Sequence, residues 1–184
     1  MDADIDPPEL DVPEGWRLVS EEVTTPFDAR LVTAKAHTRL YEDVDLRERL
    51  REATGTETTW RFVFASRLRI SPKAPGSPAL TRLVSDRASG TFLDVLESRG
   101  FSEIARADTH RFAVGDVDVD ATRYRAEVAV GGENLPVEAY FAAWPAGAEY
   151  LLGGGAYPLS LPGNETFDPE QGREELFEML RSMA

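Results

Sequence analysis

Between Thr59 and Ile70 the side chains alternate: Trp60, Phe62, Phe64, Leu68 and Ile70 share one parity, and Arg61, Arg67 and Arg69 share the other. Successive strand side chains point to opposite faces of a sheet, so this pattern predicts a strand with one buried and one wet face. Trp16 to Thr24, with Trp16, Leu18 and Val23 among polar residues, predicts an earlier strand punctuated by Thr25 and Pro26, and Arg30 to Tyr41 predicts another. There Leu31, Thr33, Lys35 and His37 fall on one parity and Val32, Ala34 and Ala36 on the other. A helix is expected next, with Asp45 as its cap, Glu48 three residues later, an apolar stripe of Leu46, Leu50 and Ala53, and Gly55 as its stop.

Residues 71 to 78 carry three prolines and a glycine and read as a loop. From Ala79 to Arg99 apolar positions recur at spacings of three and four, through Leu80, Leu83, Val84, Ala88, Phe92, Val95 and Leu96. This predicts a long helix that ends at Gly100, with Phe101 as its capping contact. Gly90 within it costs about 1 kcal/mol relative to alanine and points to a close neighbour or a bend. Four strands are expected to follow, Phe101 to Val114, Val117 to Val130, Pro136 to Trp144 and Ala148 to Tyr157, joined by short turn-rich links that suit a meander. Asp168 and Pro169 open a last helix whose inner face carries Leu176, Phe177, Leu180 and Met183. Strands grouped together, with helices between and after them, define an α+β fold: an antiparallel meander covered by helices, with Trp60, Phe62, Phe64, Phe92, Tyr140, Phe141, Trp144 and Tyr150 as core aromatics.

The periodicity fades in residues 1 to 15, where acids crowd around three prolines. These read as an acidic N-terminal tail, solvated or loosely docked, ahead of a single domain over 16 to 184. The whole chain has 33 acidic and 20 basic residues and a net charge of -13, which excludes nonspecific nucleic-acid binding and an acidic membrane surface. Without cysteine there are no disulfides, thiolate metal sites or cysteine nucleophiles. No apolar run approaches the roughly 20 residues of a membrane span. The first residues have no basic region followed by an apolar stretch, so a cytoplasmic location is expected. Lys35 and Lys73 are the only lysines, leaving 18 arginines. Many carboxylates and few lysines resemble the proteins of extremely halophilic archaea, in whose molar salt the Debye length is about 3 Å and self-repulsion is screened. The alternative is an ordinary acidic protein from a GC-rich genome, which also favours arginine over lysine.

The order of the elements, with YLLGGGAYP followed by a helix ending ELFEMLRSM, resembles the Mog1/PsbP-like sandwich over residues 16 to 184. WRFVFASRLRISP and AEYLLGGGAYP are similar to segments of uncharacterised haloarchaeal proteins. The Mog1/PsbP-like resemblance implies a non-enzymatic protein-binding or assembly factor, and no motif carries a functional residue across.

Candidate chemistry is sparse. Asp116, Asp118 and Asp120, with Glu127 at the twelfth place, match the ligand spacing of a calcium loop. Ala121 stands where that loop needs glycine, and alternating Val117 and Val119 favour a strand with a hydrated acidic face. Gly153, Gly154 and Gly155 lack the following helix of a phosphate cradle and suit a bulge or a close backbone approach beneath a helix. His37 and His110 sit in no catalytic or metal-binding spacing and read as surface strand residues.

Arg61, Arg67 and Arg69, with Lys73 beyond them, form the one local basic surface. Exposed, they would suit a carboxylate, a phosphate or an acidic patch on a protein; otherwise they pair with acids on neighbouring strands. The leading expectation is a non-enzymatic binding or assembly domain with a protein partner, no cofactor, no metal and no catalytic residues. The alternative is a small-ligand carrier or enzyme whose pocket, between sheet and helices, uses arginine to fix an anionic group.

Overall fold

Two antiparallel meanders build the molecule. In the computed structural model, which describes residues 4–74, 76–163 and 166–184, the first meander is β1 (Trp16–Ala29), β2 (Val32–Asp43) and β3 (Phe62–Ser71), with α1 (Val44–Thr54) between β2 and β3. After α2 (Pro78–Ser98) come β4 (Phe101–Val114), β5 (Val117–Val130), β6 (Glu133–Ala146) and β7 (Glu149–Pro158), and α3 (Pro169–Arg181) follows. The strands form one seven-stranded sheet in the order β1-β2-β3-β7-β6-β5-β4. Every neighbouring pair is antiparallel, so β7 returns to lie beside β3 and joins the two meanders. This is the expected α+β fold.

Both faces of the sheet are covered. On one, Phe62 and Leu68 of β3 pack with Phe141 and Leu152 under Leu46 and Leu50 of α1 and Val84, Phe92 and Leu96 of α2. On the other, Val63, Ala65, Tyr140 and Leu151 pack under Leu176, Phe177, Leu180 and Met183. The wet face expected of β3 is therefore corrected. Val63 and Ala65 lie between Arg61 and Arg67 on the arginine parity, both fully buried, and their cover comes from α3, more than a hundred residues further on.

Residues 4–12 cover a further part of that face. Ile5 and Pro8 are buried, and Leu10 and Val12 pack against the α3-side core. Main-chain hydrogen bonds join Glu9 and Ala184 in both directions (3.0 and 3.4 Å). Residues 4–12 thus lie against the sheet and the end of α3.

Other departures are local. β1 continues through Thr25 and Pro26 because a register shift between Thr24 and Phe27 accommodates them on an edge strand, where proline's missing N–H is tolerated. The cap of α1 is Asp43, which accepts from the Leu46 amide at 3.0 Å, and Asp45 falls in the first turn, where its charge suits the helix dipole. The β7 register runs unbroken past the three glycines, so they mark a close approach and not a bulge. Nothing lies within 4 Å of a Cβ built on Gly90.

Candidate functional site

Of the four cations singled out from the sequence, the structure separates one pair from the rest. Arg61, one residue ahead of β3, is 6% exposed. It donates through Nη1 to Asp43 Oδ2 at 3.3 Å and through Nη2 to Glu175 Oε2 at 2.6 Å. Its guanidinium lies 4.8 Å from the Trp16 ring centroid and 5.4 Å from that of Phe167. A planar cation between two rings and two carboxylates knits β1, β2 and α3 together.

Arg67 and Arg69 lie six and eight residues on, roughly 20 to 26 Å along the strand. Both bond Glu149: Arg67 Nη1 to Oε2 at 3.1 Å, and Arg69 Nε to Oε1 at 2.6 Å. Burial acts to raise the Glu149 carboxyl, but the hydrogen bonds from Arg69 and Arg67 outweigh it, so the group sits below its ordinary range. Arg67 Nη2 also donates to the main-chain oxygen of Ala184 at 2.7 Å, and Arg69 Nη1 to that of Asp4 at 3.2 Å. Lys73 is exposed in the segment after β3.

The basic face is wider than β3. Register places Lys35 opposite Arg69 and His37 opposite Arg67, so the odd positions of β2 continue it. His37 Nδ1 donates to the Ile5 carbonyl at 2.8 Å, and Arg39 Nη1 approaches the Pro8 carbonyl at 3.5 Å. His37 Nε2 and Arg39 Nε each lie 2.8 Å from Glu21 Oε1. The shared parity of Lys35 and His37 was the visible signal for this half of the face. Glu149 and the chain segments that meet it are too remote in sequence to have been linked to it.

A groove of about 550 Å³ and an adjoining hollow of about 180 Å³ lie beside Arg61 and share Asp43, Arg49, Arg61 and Glu175. Six carboxylates (Glu14, Asp43, Asp45, Glu48, Glu52 and Glu175) line the larger one against two arginines, Arg49 and Arg61, so its field opposes an anionic ligand. His110 is not a plain surface residue: its ring packs 4.6 Å from that of Phe177, and burial first, then Arg173 and Arg181, hold its pKa below the usual histidine value. The aspartate run lies on β5 and the turn before it, with Val119 buried and Arg111 Nε on Asp120 at 2.9 Å. Among the described residues no group of three or more acids or histidines could hold a metal.

A second feature was not expected from the sequence. Of the eight exposed large apolar residues among those described, six belong to the β1–β2 hairpin: Leu18, Val19, Val23, Phe27, Leu31 and Val32. Leu31, at the turn, is 83% exposed. β1 is an edge strand, with no further strand on its outer side among the described residues.

No helix among the described residues is long and apolar enough to cross a membrane. No curated protein matches the sequence. A similar solved structure is that of LpqN, involved in cell envelope biogenesis of Mycobacterium tuberculosis; it is 14% identical, with 98% of this chain and 83% of that chain covered and a TM-score of 0.36. The match that spans the docked segment, both meanders and the last helix, residues 2–184, is to the family described as Domain of unknown function (DUF6517), and the chain belongs to that family.

Proposed function

We propose that the chain is a non-enzymatic binding or assembly domain with a protein partner, built on a Mog1/PsbP-like sandwich and working in the salt-rich cytoplasm of a halophilic cell. The observation that carries this reading is the β1–β2 hairpin, where six exposed apolar side chains concentrate on one edge of an otherwise strongly acidic molecule. Register sets Leu18 and Val23 on the face of Tyr41 and His37, and Phe27 on that of Ala34, so both sides of this edge carry exposed apolar side chains, as interaction sites do. The Debye length of about 3 Å at 1 M salt removes long-range steering and leaves shape and apolar contact to select a partner. The free side of β1 also offers main-chain groups to an added strand. Register shifts between Leu18 and Ser20 and between Thr24 and Phe27, together with Pro26, restrain indiscriminate edge pairing. Arginine fixing an anion in a pocket fits less well, because Arg61 is engaged by two carboxylates and the groove beside it is acid-rich.

Affinity capture from native cells in molar potassium chloride tests the reading. Val23→Ser with Leu31→Asp should leave the fold intact, since surface changes shift stability by about 0.5 kcal/mol at most. The double variant is expected to lose the proteins that wild type retains, whereas Leu83→Asp on the exposed side of α2 keeps them. Equal retention by all three baits would overturn the proposal.

A further inference from the structure

Residues 4–12 have no strand ladder or helix of their own, yet they are seated. Ile5 is 2% exposed and Pro8 is fully buried, while Asp4, Asp6, Glu9 and Asp11 face solvent. The sheet holds the segment's backbone through its carbonyls: Arg69 reaches that of Asp4, His37 that of Ile5 and Arg39 that of Pro8. Side-chain donors that hold main-chain oxygens set direction and extension but not sequence, so sequence enters through the apolar side chains, Ile5 and Pro8 as the buried anchors and Leu10 and Val12 on the α3-side core. Pro7 and Pro8 also keep the segment extended before it docks, which lowers the entropy lost on binding.

Four of the cations beneath it have carboxylate partners outside the segment. Arg67 and Arg69 keep Glu149 when the segment leaves, and His37 and Arg39 keep Glu21. Departure therefore leaves these four charges paired, and an unpaired charge is what makes breaking a buried ion pair so costly. Among the described residues, what the face loses is three hydrogen bonds to main-chain carbonyls, which any extended segment can replace, so the contact is one that can be exchanged.

We infer that the β2–β3 face is a peptide-binding groove: residues 4–12 are its occupant in cis, and an extended segment of a protein partner, with a large aliphatic residue three places before a proline, takes the same seat. This assigns the regulation of partner binding to the chain's own first residues, which must yield before the groove is open. It rests on the protein-binding reading above, but the two fail separately. Hairpin-dependent capture is read in cell extract, and exchange is read with the pure chain and a synthetic peptide.

The test uses the full chain. Asp6 is exposed and there is no native cysteine, so Asp6→Cys takes a single nitroxide label beside the seat. Titration in molar potassium chloride with an unlabelled peptide of residues 2–13 is expected to mobilise the label saturably, and the same peptide with Ile5→Asp is not. In a second measurement, a fluorescent copy of the peptide should bind a full chain carrying Ile5→Asp at least about tenfold more tightly than wild type, because the weakened cis occupant no longer competes. If that variant does not fold, the titration decides alone. A label that stays immobile at millimolar peptide overturns the groove, as does mobilisation by the Ile5→Asp peptide equal to that by the native one.

Discussion

Gly155→Ala is expected to destabilise the fold by about 3 kcal/mol or more, the upper range for forcing volume into a packed interior. A Cβ at Gly155 would strike the carbonyl oxygen of Phe62 on β3 and come 2.9 Å from Leu176 Cδ1 on α3. At Gly154 it would strike the Tyr140 carbonyl oxygen on β6 and come 2.9 Å from Phe64 Cε1. The obstruction is backbone on both sides of a central strand, which no rotamer change relieves. β7 also joins the two meanders, so a shift there disturbs the sheet that carries the hairpin and the basic face. Gly90→Ala in α2, where the added methyl meets nothing within 4 Å, is expected to gain up to about 1 kcal/mol from helix propensity alone. Urea midpoints of the two variants against wild type check the contrast; a Gly155→Ala midpoint close to that of wild type would show that the sheet yields where it is described as tight.

Salt is expected to act nearly as strongly. The folded chain concentrates a net charge of -13 that an expanded chain spreads out, so compactness is opposed at low ionic strength. Salt also weakens exposed pairs such as Arg111 with Asp120, but such pairs contribute at most about 1 kcal/mol each. The buried pairs of Arg61 are screened much less. Relief of self-repulsion should therefore win, raising the melting temperature between dilute buffer and molar potassium chloride by on the order of 10 °C, or roughly 3 kcal/mol for a chain of this size. Equal midpoints at the two salt concentrations would remove the halophile assignment.

What the sequence disclosed, and what it did not, follows from the range of the interactions involved. β4, β5 and the Asp168–Pro169 start of α3 depend on neighbours a few residues away and stand as expected, while β6 runs from Glu133 to Ala146, beyond the expected 136 to 144 at both ends. The α1 cap moved two residues because β2 runs on to Asp43, a boundary set by its pairing with β1 and β3 rather than by local chemistry. The docked segment alternates acids with Ile5, Pro8, Leu10 and Val12, a period the prolines obscured. The basic face was half visible, in Arg67 and Arg69. Its other half needed the β2–β3 register, and its neutralisation needed Glu149, about eighty residues away. Val63 and Ala65 between the arginines did signal a covered face, but the regular arginine spacing around them suggested water. The apolar hairpin went unread because Leu18, Val19, Val23 and Phe27 do not keep to one parity, and two register shifts in β1 break the alternation that would have exposed a pattern.

The assignment of the β1–β2 hairpin as the docking edge is tested most directly by amide hydrogen exchange of the chain, alone and with its captured partner, in molar potassium chloride. Binding along β1 should slow amides between Leu18 and Phe27 by about tenfold or more, since added strand pairing protects groups that otherwise open locally. The opposite edge, β4, should keep its rates. Unchanged exchange in β1, with protection on β4 or α2 instead, would contradict the assignment.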